Sequence, residues 1–203
     1  LVAYYRLPHR GQNLMLLALE KPGFVRDLLE IIHMWNRRRM EVVLTQSVDL
    51  YIRRDWYEGC DFVIPRFYKQ AVLPFLKAEA DLAHTYGAKF GYICSSGTKP
   101  MLDFYLEAGI DALIGIDPIQ GTHTDMPLLK AKLGKRVCLW GGVSGAVTVE
   151  MGTEDEVRAA VRHAMDELGP SGFVLSPIDN ITVDSPRTWQ NVSVFIEEWQ
   201  KAR

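Results

Sequence analysis

The chain is poor in the features that would assign it quickly. Its 203 residues contain only three cysteines, Cys60, Cys94 and Cys138, spaced neither as disulfide partners nor as a zinc ribbon. That spacing favours a reducing cytoplasm over an oxidising compartment. No apolar run approaches the ~18 to 20 residues of a membrane span. No secretory leader is apparent, because Arg6, His9 and Arg10 interrupt the first residues. The net charge of −2 gives no general electrostatic attraction to nucleic acid or to an anionic bilayer. Neither a GxGxxG nor a GxxxxGK[ST] loop occurs, which argues against a dinucleotide or ATP site of the usual kind. Low-complexity stretches, fixed-period repeats and linkers are also missing, so residues 1–203 read as a single domain.

What is present is an alternation. Five short apolar runs at 49–55, 89–95, 112–117, 137–143 and 173–178 are separated by segments of helical periodicity. Helical signals include a long pattern after Lys21-Pro22-Gly23, with Phe24, Leu28, Ile31, Ile32, Trp35 and Met40 at helical spacing. A second helix is expected from about Pro65 to Tyr86, kinked at Pro74, and others at 99–108 and 125–133. Thr153 with Glu156 predicts a capping box, and the helix it opens should run to Leu168. Ser185-Pro186 opens a last helix with an expected apolar face of Trp189, Val192, Phe195, Ile196 and Trp199. Leu1–Leu7 is a further strand candidate. Helices between strands imply parallel neighbours with right-handed crossovers, and five or six such units make an open sheet or an incomplete barrel.

Each run ends in polar or small residues, and in such folds the carboxyl ends of the strands carry the chemistry. Strand alternation puts Arg53 and Asp55 on one face and Arg54 and Trp56 on the other. Arg53 beside Asp55 could be an anion-binding arginine next to a general acid or base, or an internal ion pair. Tyr92 and Cys94 share a face and could line a pocket or hold a metal; Cys94 could equally fill space in the core. Asp117 before Pro118 could orient a substrate or cap a turn, and Asp179 ends the last strand. His123 lies in a loop after a strand, while Arg37-Arg38-Arg39 read as the solvated face of a helix.

Several segments together resemble the uroporphyrinogen decarboxylase superfamily, which also contains methyltransferases that act between corrinoid proteins and thiols. They are Phe67–Phe75 (FYKQAVLPF), Lys89–Gly97 (KFGYICSSG), and Val137–Gly142 (VCLWGG) followed by Gly152–Val157. Phe173–Ile181 (FVLSPIDNI) and the stretch from Ser185-Pro186 to Asn191 complete the set. Their order and spacing carry the resemblance. It implies a (β/α)8 TIM barrel, here truncated at the amino terminus, because 203 residues fall short of the ~250 typical of that fold. The nominal activity implied is decarboxylation of the acetate side chains of uroporphyrinogen III to coproporphyrinogen III, without metal or organic cofactor. In that chemistry an aspartate stabilises a ring-protonated cation while carbon dioxide departs.

On that reading Asp55 and Asp179 are the expected catalytic residues, and Arg53, Tyr92, Cys94 and Asp117 the expected substrate contacts. Two departures weaken the transfer. Asp179 occupies the place of a histidine of the decarboxylases. Tyr92-x-Cys94 stands where the thiol methyltransferases carry a zinc-binding His-x-Cys. One alternative is therefore a zinc-dependent corrinoid or thiol methyltransferase, with Cys94 and Asp179 as metal ligands and a corrinoid partner. Another is a tetrapyrrole-binding module without catalysis. In each case the partner is a small molecule, a tetrapyrrole or a methyl donor, and not nucleic acid or a membrane. An open barrel exposes strand edges and apolar surface, so self-association is expected.

Overall fold

The computed structural model describes residues 16–120, 122 and 124–203. The strand expected at Leu1–Leu7 and the loop histidine His123 lie outside these. All five remaining strands form: β1 (Leu50–Arg54), β2 (Lys89–Ile93), β3 (Ala112–Ile116), β4 (Cys138–Ser144) and β5 (Phe173–Ile178). They pair in chain order, every pair parallel, with Arg53 beside Tyr92 and Trp140 beside Val174. The register slips between Ile114 and Ile116, where Gly115 takes a φ of +107°. A side chain there would press on the Cys94–Ser95 backbone, so the bulge requires glycine.

The helices are α1 (Pro22–Leu44), α2 (Leu73–Thr85), α3 (Leu102–Ala108), α4 (Met126–Leu133), α5 (Glu154–Leu168) and α6 (Pro186–Ala202). The kink expected at Pro74 is realised just before it. A short turn, Pro65–Phe67, passes through a π segment, Tyr68–Val72, and Pro74 then sits in the first turn of α2, where its missing N–H costs nothing. The capping box forms as expected: the Thr153 hydroxyl accepts from the Glu156 amide and the Glu156 carboxylate accepts from the Thr153 amide at 2.7 Å.

One face of the sheet is packed under helices. Phe90, Tyr92, Leu113 and Leu139 meet Leu76, Tyr105, Leu129 and Leu133 in the main core, and Val143, Val161 and Ala164 form a second cluster under α5. The opposite face carries Ile93, Ala112 and Ile114 with Trp56, Cys138 and Trp140. Consecutive parallel strands with their helices packed on one face form an arc of a (β/α)8 barrel.

The outer helices depart from the sequence expectation. In α6 the expected Val192 and Phe195 pack against the second cluster, but the buried residues are Thr188, Asn191, Val194 and Glu198, and Trp189 and Ile196 are exposed. Polar partners explain why Asn191 and Glu198 are buried. The Asn191 amide donates to the Val149 and Gly152 carbonyls at 2.9 Å each, and Glu198 accepts from Arg162 at 2.7 Å and Arg158 at 3.4 Å. In α1 the core takes Val25, Leu29, Met40 and Leu44 and leaves Phe24, Ile31 and Trp35 in solvent.

Candidate functional site

The loops after β1, β2 and β3 are tied to one another. The Cys60 amide donates to the Gly97 carbonyl at 3.0 Å, and the Gly97 amide to the Thr122 carbonyl at 2.8 Å. The amide and hydroxyl of Thr122 both donate to the Asp61 carboxylate. The approach is so close that a Cβ on Gly59 would lie 1.8 Å from the Ser96 carbonyl oxygen. On the far side, the Glu150 carboxylate accepts the Thr182 and Val183 amides and so anchors the loop after β5. Between these loops, at the carboxyl ends of the strands, lies a polar cavity of about 540 Å³ lined by Arg54, Trp56, Tyr57, Asp61, Phe62, Ser95, Ser96, Gln120, Asp179 and Asn180. A slightly larger concavity, about 590 Å³, occupies the amino ends of the strands, where Leu50, Ala112, Trp140 and Val174 line it. Asp49, Lys89, Asp111, Lys135 and Arg136 stand at its edge, where Asp111 is already paired with His84 and Lys89. Active sites of this architecture lie at the carboxyl ends of the strands, so the carboxyl-end cavity is the better site.

The six residues singled out from the sequence are divided by the sheet. Arg53, Asp55, Tyr92 and Cys94 turn towards the helices. There the Arg53 guanidinium bonds to Asp55, to both Glu58 oxygens at 2.8 and 3.0 Å, and to Glu79 at 2.9 Å. His33 Nδ1 lies 3.2 Å from the other Glu79 oxygen and its ring stacks on Phe75. The Tyr92 hydroxyl donates to Glu58 at 2.8 Å, and Tyr68 donates to Tyr92 at 3.4 Å. Burial pushes the Glu58 carboxyl up to about 7, against the pull of Arg53 and with the push of Asp55. Burial also acts to raise Glu79, but Arg53 and His33 outweigh it and hold that carboxyl below its usual range. The guanidinium is disfavoured by burial yet held firmly protonated by Asp55, Glu58 and Glu79. Each charge in the cluster thus has a partner, as a buried charge must.

Cys94 is fully buried. The Tyr105 hydroxyl donates to its sulfur at 3.5 Å, and burial pushes the thiol up to about 12. Asp179, by contrast, lines the cavity, so the two residues expected to share a zinc ion do not converge. Among the described residues no group of three or more His, Cys, Asp and Glu side chains is placed to hold a metal. A buried, protonated thiol is a poor zinc donor, and these residues do not fit that ion.

Asp117 is buried at the end of β3. It accepts the Ile119 and Gln120 amides at 2.9 and 3.0 Å and the Gln120 side-chain amide at 3.2 Å. That amide also reaches the Ser144 hydroxyl at 3.3 Å, so Asp117 holds Gln120 at the cavity wall. Asp179 has a φ of +68°, a left-handed conformation that Asp tolerates better than most residues, and its carboxylate accepts the amide of Asn180 at 2.8 Å. Sequence reasoning overlooked Arg54 and Gln120 as cavity residues, and Glu58 and Glu79 as partners of Arg53. The alternation along β1 was the signal for Arg54. Nothing local marked Glu79, one of two acids within its helix.

Residues 3–202 match the profile of the family described as Uroporphyrinogen decarboxylase (URO-D). No curated protein matches the chain by sequence. Among solved structures, a methyltransferase from Methanosarcina mazei superposes with a TM-score of 0.74 at 19% identity, over 94% of this chain and 53% of that one. A B12-independent methionine synthase from Shewanella sp. W3-18-1, solved with selenomethionine, gives 0.60 at 12% identity, over 88% and 55%. Identities this low establish a shared fold, and the chain spans about half the length of each of these proteins.

Proposed function

The chain belongs to the uroporphyrinogen decarboxylase family, and from that premise we propose that its cavity forms one wall of an active site that decarboxylates a small carboxylate-bearing substrate, nominally an acetate side chain of a porphyrinogen. The observation that carries this reading is Arg54. Its guanidinium lines the cavity and makes no ion pair or hydrogen bond with any described residue. An unpaired guanidinium in a polar cleft is suited to bidentate capture of a carboxylate.

The roles divide accordingly. Arg54 binds a substrate carboxylate that is retained, and Trp56 and Tyr57 offer ring faces to the substrate's apolar body. Asp179 sets a negative charge where the reacting ring gains a proton and becomes cationic. The bond from the side-chain methylene to the carboxyl carbon then breaks, carbon dioxide leaves, and the electron pair neutralises the ring. Protonation of the methylene and loss of the ring proton complete an exchange of carboxylate for hydrogen. Asp117 positions Gln120, and the Arg53 cluster with Asp55, Glu58 and Tyr92 supports β1 and its loop from behind. No step requires Cys94.

The test is anaerobic incubation with uroporphyrinogen III, scored for porphyrinogens with fewer carboxylates, alongside ligand binding to Arg54→Ala. Unchanged porphyrinogen affinity in that variant would sink the assignment. Binding without turnover would favour the non-catalytic module, and methyl transfer from a corrinoid the methyltransferase.

A further inference from the structure

Besides the residues it gives to the core, helix α1 carries a second set of apolar residues on the side away from it. Phe24, Ile31, Trp35 and Val42 are 58%, 61%, 61% and 69% exposed, although each is large and apolar. At ~100° per residue all of them fall within about 20° of one line along the helix, a stripe ~27 Å long. Asp27 and Arg38 flank the stripe on one side, and Arg39 stacks over Trp35 at 4.6 Å. Singly exposed apolar residues need no explanation, but four aligned along one helix face do.

The row reads nearly the same in both directions about its midpoint at His33. Phe24 lies as far before that point as Val42 lies after it, Ile31 mirrors Trp35, and Asp27 mirrors Arg38 to within one residue. A two-fold axis crossing an antiparallel helix pair brings each residue opposite its mirror position on the partner. The operation sets Phe24 against Val42, Ile31 against Trp35, and acid against base on the same flank. Asp27 has only a loose 3.9 Å approach to Arg26 to give up. We propose that α1 is a self-complementary dimerisation surface whose occupant is the α1 helix of a second copy of this chain, antiparallel and centred near residue 33.

Sedimentation velocity of the 203-residue chain tests this, with far-ultraviolet circular dichroism to verify folding. The expected species has twice the 23.0 kDa chain mass. Trp35→Glu, at a solvent-exposed position, should yield a folded monomer. Asp27→Arg and Arg38→Asp should each raise the dissociation constant about tenfold, and the double exchange should restore it, since like charges then no longer face each other. A wild-type monomer would overturn the proposal. So would an oligomer that survives Trp35→Glu, or charge variants whose effects simply add.

Discussion

Arg53 and Arg54 are adjacent in the chain and serve opposite sides of one sheet. The first guanidinium is held by Asp55, Glu58 and Glu79 beneath the helices, and the second opens onto the cavity at the strand ends. The same residue type one position apart therefore has different consequences when removed.

Arg54→Ala should leave stability within about 0.5 kcal/mol of the parent, because it breaks no internal contact. It should weaken carboxylate binding by about 10- to 100-fold, the worth of a charge-assisted hydrogen bond. Arg53→Ala should instead cost ~3 to 5 kcal/mol by leaving three carboxylates buried without their cation. Urea midpoints and ligand titrations on both variants separate the two effects.

Glu58 makes stability depend on pH in an unusual direction. Its carboxyl is raised from 4.5 to about 7 in the folded chain, so the native state binds the proton more tightly than the unfolded state does. The corresponding stabilisation is complete below about 4.5 and is lost as pH rises through about 7, amounting to ~3 kcal/mol. Glu79, whose carboxyl is lowered, contributes in the opposite sense and only as pH falls below its ordinary range. Urea denaturation from pH 4.5 to 8 should show the decline, and Glu58→Gln should flatten it. A flat profile in the parent protein would exclude the effect.

Cys94 should resist alkylation in the folded protein and react only on unfolding, because the thiol is buried and pushed up to about 12. Peptide mass mapping after iodoacetamide treatment, with and without urea, reads this directly. The protein should also hold no stoichiometric zinc by elemental analysis. About one zinc per chain, lost in Cys94→Ser, would contradict the placement of that side chain.

Gly59→Ala should destabilise the chain by ~1 to 3 kcal/mol, since the new methyl would collide with the Ser96 carbonyl. Gly23→Ala, where a Cβ meets nothing within 4 Å, is the matched control and should be close to neutral. Thermal unfolding of the two variants distinguishes them.

Much of the scaffold was legible because it depends on local signals. Apolar runs, Gly and Pro punctuation and the Thr153 cap place all five described strands and the helix ends within a few residues of their structural bounds. The cavity was less legible. Alternation separates Arg53 from Arg54 but does not say which face becomes the cleft. That is decided by which side the helices cover, a property of the whole arc. The burial of α6 was read only in part, with Val192 and Phe195 placed correctly, for a related reason. Asn191 and Glu198 are buried because distant carbonyls and arginines await them, and hydrophobic periodicity carries no information about such partners.

The bonds linking the loops after β1, β2 and β3 also bear on how the rim yields to change. A rim fastened at Cys60, Gly97 and Thr122 moves as a plate. Substitutions at its three sectors should therefore couple, with combined effects that differ from the sum of the single ones. Variation of specificity within such a rim would have to come from side chains carried on the plate, because loop lengths could change only in concert.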